Sequence, residues 1–124
     1  MNIQEDYVSF EIAKLLKEKG FDEQTVRCYN LKKELCACQC IGDETINSTP
    51  NYLIAAPTHQ MACKWLREEY NIIISIAPQK DKYNFTPWQL WDSRWVNTKA
   101  ILPLYDTYEG ACEAAIKYCL KHLI

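Results

Sequence analysis

The sequence predicts an α+β fold: three helices on one face of a small, mostly antiparallel sheet, in the order α-β-β-β-α-β-β-α. Three observations carry that expectation. Three segments show one-sided apolar stripes at helical spacing. Short β-favouring runs fall between them, bounded by turn residues. Strands that follow one another without an intervening helix pair antiparallel and leave the helices to cover a face.

The first stripe is Val8, Ile12, Leu15 and Leu16, at i, i+4, i+7 and i+8, with Glu11, Lys14, Lys17 and Glu18 off it. Ser9 is suited to the N-cap. Gly20 can take the left-handed position past the last turn, which lets Phe21 fold back onto the helix. The helix is expected over about 9–19. Strands are then expected at 25–29, 34–41 and 52–56. Asn30–Lys33 turns between the first two, Gly42-Asp43 and Asn47–Asn51 break the chain, and Pro57 stops the third.

The second helix starts after Thr58, a cap candidate. Met61, Ala62, Trp65 and Leu66 share its apolar face, Trp65 is expected in the core, and Asn71 ends the helix. Ile72–Ala77 is β-branched and bounded by Pro78, the strongest strand signal in the chain. The third helix opens at Asp106 or Thr107 and carries Cys112, Ile116, Cys119, Leu120 and Leu123 on its apolar face.

Residues 79–104 send two signals. Thr86-Pro87-Trp88-Gln89 has the form of a helix start, and Trp88, Trp91 and Trp95 have helical spacing. The runs 88–91 and 94–98 are also rich in β-favouring residues, and the segment is assigned to strand. In one regular strand from 88 to 95, Trp91 and Trp95 project to the face opposite Trp88.

A length of 124 residues fits one domain, 1–124. The net charge of −2 gives no long-range attraction to a nucleic-acid backbone or an anionic membrane. No basic, then apolar, leader opens the chain, and no apolar run approaches the length that spans a bilayer. A cytoplasmic protein is expected, with its seven cysteines as thiols.

Candidate chemistry is sparse. Cys36, Cys38 and Cys40 form Cys-x-Cys-x-Cys, with Cys28 nearby. Alternate residues of a strand stand about 6.6 Å apart, whereas tetrahedral zinc needs sulfurs roughly 3.8 Å apart. No Gly or Pro bends the run, so no metal site is expected there. His59 and Cys63 share a helix face at i, i+4, but Cys63 lies past the first turn, where the helix terminus no longer lowers a thiol pKa appreciably. Thr58-His-Gln-Met-Ala-Cys63 and Thr107-Tyr-Glu-Gly-Ala-Cys112 share Thr-x-x-x-Ala-Cys, as two ordinary capped helix starts would. Isolated glycines exclude a phosphate loop, and no catalytic triad or dyad motif is present. No cofactor and no catalytic residue is assigned.

Three segments carry a resemblance: Val8–Phe21, Ala56–Glu68 and Tyr105–Leu120. Together they resemble a family of short uncharacterised proteins carried by Bacteroidetes and their phages and mobile elements. The match covers the three helices, rather under half the chain. It implies a cytoplasmic, phage-associated accessory protein and transfers no site residue.

The leading expectation is a non-catalytic protein that binds another protein or a second copy of itself. Trp88, Trp91 and Trp95 are the expected interaction surface, because large aromatics outside helical stripes are common binding anchors. Two alternatives stand beside it. One is a metal or redox function through Cys36, Cys38 and Cys40. The other is single-strand nucleic-acid binding, in which Tyr83, Phe85 and the three tryptophans stack bases between Lys80, Lys82 and Arg94.

Overall fold

The computed structural model describes residues 2–38, 42–49, 52–97 and 103–124. Among them the chain forms three helices and six strands, an α+β fold. It divides into two compact units, residues 1–60 and 61–124. The strands form two antiparallel three-stranded sheets, one in each unit, where the sequence pattern suggested one. The reason is the second helix, which separates two strand groups that each close on themselves.

In the first unit, α1 (Phe10–Glu18) is capped by Ser9, whose hydroxyl accepts from the Ile12 N–H at 3.3 Å. Gly20 has φ +95°, and the Phe21 N–H returns to the Leu16 carbonyl at 2.9 Å. Phe21 is thereby buried against the helix end, as the glycine predicts. Val8, Ile12 and Leu16 form the buried stripe. Strands β1 (Arg27–Tyr29), β2 (Leu35–Ala37) and β3 (Ile54–Ala55) pair in the order β2-β1-β3. Asn30 builds the β1–β2 turn: its side-chain oxygen accepts from the N–H groups of Lys32 and Glu34 at 2.9 and 3.0 Å. The Tyr29 hydroxyl donates to the Val8 carbonyl at 2.6 Å and ties the sheet to the segment before α1. Asn47 donates to the Phe21 carbonyl and accepts from the Ala55 N–H, which fixes the long connection before β3.

The second unit holds most of α2 (His59–Tyr70), then β4 (Ile72–Gln79), β5 (Lys82–Trp91), β6 (Arg94–Asn97) and α3 (Tyr108–His122). Asn71 ends α2 with φ +54°, a conformation that asparagine tolerates better than most residues. Ala62, Trp65 and Leu66 are buried, and Trp65 meets Tyr70 edge to face. β4 runs through Pro78, which an edge strand allows. Thr107 caps α3 by accepting from the Gly110 N–H at 2.9 Å. Cys112, Ile116, Cys119 and Leu120 form its buried face, with Ala111 and Ala115. Helix α3 packs across β4 and β5, where Phe85 is buried and its ring meets Tyr118.

Candidate protein-interaction surface

The expected interaction residues all lie on the β5–β6 hairpin. β4 and β5 pair from Ile72↔Gln89 to Gln79↔Lys82, and β5 and β6 from Trp88↔Asn97 to Trp91↔Arg94. Asp92 and Ser93 make the two-residue turn, both with positive φ (50° and 62°). Two such residues define the type I′ turn, whose twist matches that of the strands it joins.

Register then decides what shares a face. Residues directly opposite one another in an antiparallel pair project to the same side, and neighbours along a strand alternate. Phe85 and Pro87, with Ile72, Ile74 and Ile76 across from Gln89, Pro87 and Phe85, point to the side that α3 covers. Trp88, Leu90, Trp95 and Ile73 point to the other side. The single-strand expectation therefore fails on one point. Trp95 lies on the same face as Trp88, and Trp91 lies opposite both. The turn at 92–93 folds the chain back and pairs Trp95 with Leu90, so counting along one straight strand gives the wrong parity.

Exposure rises toward the turn. Trp88 and Ile73 are half-buried. Leu90 and Trp95 are 41% and 43% exposed on one face, and Trp91 and Val96 are 75% and 44% exposed on the other. The hairpin end thus carries large apolar side chains on both sides of a two-stranded ribbon. Such an arrangement leaves much apolar surface in water and suits insertion into an apolar cleft of a partner.

Two other aromatics of this segment, and one of its cations, make contacts within the fold. Phe85 is buried, and Tyr83 meets Tyr108 edge to face. Lys82 donates to the Asp106 carboxylate at 2.5 Å and holds that carboxyl below its usual range. One of the three cations that would have to track a nucleic-acid backbone is thereby paired.

The cysteine run divides. Cys36 lies opposite Cys28 in the β1–β2 pair, with the sulfurs 3.7 Å apart, and its thiol also reaches the Cys28 carbonyl. Cys38 donates to the Thr25 carbonyl at 3.3 Å. Cys40 lies outside the described residues. Burial, and then the Cys36 hydrogen bond, push the Cys28 thiol up to about 12, so it stays protonated at neutral pH. Among the described residues, no group of three or more His, Cys, Asp or Glu side chains could hold a metal ion.

A second thiol contact has only a weak signal in the sequence. Cys63 of α2 and Cys112 of α3 approach to 3.9 Å between sulfurs. They hold the same place in the two Thr-x-x-x-Ala-Cys segments, the fifth residue of each helix. Similarity of the two helix starts was the available sign, and it does not by itself imply contact.

Comparison of the chain with protein-family models, with curated proteins and with solved structures finds no match. No helix among the described residues is long and apolar enough to cross a membrane.

Proposed function

We propose that this chain is a non-catalytic cytoplasmic accessory protein that acts by binding another protein through the β5–β6 hairpin. The observation that carries the reading is the pair of exposed apolar faces at the hairpin end: Leu90 and Trp95 on one, Trp91 and Val96 on the other. Large aromatics that stay in water in the free chain are the side chains that gain most from burial in a partner. The resemblance of the three helical segments to phage- and mobile-element-borne proteins of Bacteroidetes supports a phage-derived origin.

The test compares wild type with a Trp91→Ala/Trp95→Ala variant. Both are used as bait in lysate of the native host, and folding is checked by circular dichroism. A protein, or further copies of this chain, captured stoichiometrically by wild type and lost with the folded variant supports the reading. Identical captures by the two baits overturn it.

A further inference from the structure

We propose that Cys63 and Cys112 form an oxidation site, a dithiol that a small hydroperoxide closes into a disulfide between α2 and α3. The pairing is geometric. The sulfurs are 3.9 Å apart, already in thiol–thiol contact. A disulfide needs about 2.05 Å, so closure requires each sulfur to move by only about 1 Å. Both cysteines stand in the second turn of regular helices in the same compact unit, which fixes the approach.

The two thiols differ in the way a peroxide reaction requires. Cys63 is partly open to solvent, whereas Cys112 is buried. The hydrogen bond from Cys112 lowers the Cys63 thiol pKa below its ordinary value, burial and then the neighbouring Cys119 oppose it, and the Arg67 charge one turn along α2 assists. A thiolate is the nucleophile toward peroxide, so Cys63, the more accessible of the two, attacks first. Cys119, the next cysteine on α3, is fully buried, and burial pushes its thiol up to about 12, which removes it as a competitor.

The steps balance. Cys63 Sγ gives up its proton and attacks one peroxide oxygen. The S–O bond forms, the O–O bond breaks, and the second oxygen leaves with the proton as water. Cys112 Sγ then attacks the Cys63 sulfur of the resulting sulfenic acid. The S–S bond forms, the S–O bond breaks, and the hydroxyl leaves with the Cys112 proton as a second water. Hydrogen peroxide is reduced to two waters, and two thiols are oxidised to one disulfide.

The sequence makes the site readable by mass spectrometry. Cleavage after glutamate releases Thr45–Glu68, in which Cys63 is the only cysteine, and Gly110–Glu113, in which Cys112 is the only cysteine. The full-length reduced protein is treated with hydrogen peroxide, quenched with N-ethylmaleimide, cleaved and analysed without reduction. The expected product is the linked pair of these peptides, lighter by two hydrogens than their sum and released by dithiothreitol. In Cys112→Ser, the link is lost and Cys63 is trapped as a sulfenic acid by dimedone. Cys112→Ala gives the same readout if the serine variant does not fold. Labelling of both Cys63 and Cys112 by N-ethylmaleimide after peroxide, while other cysteines oxidise, overturns the proposal. So does a link that joins Cys28 to Cys36 in place of this pair.

Discussion

Trp95 stands directly across from Leu90 in the β5–β6 pair, so the two side chains share one face of the sheet with Trp88. Opposed apolar and aromatic pairs of this kind contribute roughly 0.2–1 kcal/mol beyond alanine. A double-mutant cycle with Leu90→Ala and Trp95→Ala, read by urea denaturation, is expected to return a coupling in that range. The pair Leu90 and Arg94, which are not opposed, is expected to return a smaller one.

The turn beside that pair is strained by its residue types. Ser93 holds φ +62° and Asp92 φ +50°, in the region where side chains other than glycine's pay a steric cost. Ser93→Gly turns Asp-Ser into Asp-Gly, a preferred type I′ sequence. The change is expected to stabilise the protein by roughly 0.5 kcal/mol, the relief of strain exceeding the added entropy of the unfolded chain. The denaturation midpoint in urea is the measurement, and a lower midpoint contradicts the turn assignment.

Aromatics of the same strand should behave in opposite ways. Phe85 is fully buried against Tyr105 and Tyr118, so Phe85→Ala is expected to cost about 3–5 kcal/mol. Trp91 is mostly in solvent, so Trp91→Ala is expected to cost less than about 0.5 kcal/mol. The two rings share one face of β5, so thermal unfolding of the two variants side by side tests how burial falls off along that face toward the hairpin end.

Asp106 offers a pH signature. The Lys82 hydrogen bond, and then the Lys82 charge, hold its carboxyl below the usual range. A carboxyl depressed in the folded state stabilises that state above the unfolded value of about 3.9, and the contribution is lost as pH falls through the folded value. Both side chains are exposed, so the effect on stability is small. Titration of the Asp106 carboxyl by NMR is expected to show a midpoint below the ordinary aspartate value. Lys82→Met is expected to return it to that value.

Local chemistry was legible in the sequence wherever one residue determined the outcome. Ser9 and Gly20 bound α1, Asn71 ends α2, and Thr107 caps α3, because caps need only the backbone next to them. The buried faces of the three helices follow from spacing, except that Met61, expected on the apolar face of α2, is exposed. What depended on distant pairing was not legible. The division into two sheets rests on which strands meet. The parity of Trp95 rests on a turn of two non-glycine residues, Asp92 and Ser93, which carries a weaker signal than Asn-Gly or Asp-Gly. The Cys63–Cys112 contact rests on how two helices pack, which no local spacing encodes.

Whether a protein covers the hairpin end is read by covalent capture at Trp91, the most exposed tryptophan. Trp91→p-benzoylphenylalanine places a photo-crosslinking ring at the hairpin end. Lys80→p-benzoylphenylalanine places the same ring on the turn at the other end of β5, where no interaction is assigned. Each full-length variant is expressed in the native host and irradiated, and its adducts are identified by mass spectrometry. A discrete protein adduct is expected at position 91, to another protein or to a second copy of this chain, and none at position 80. No adduct at position 91, or the same adducts at both positions, would contradict it.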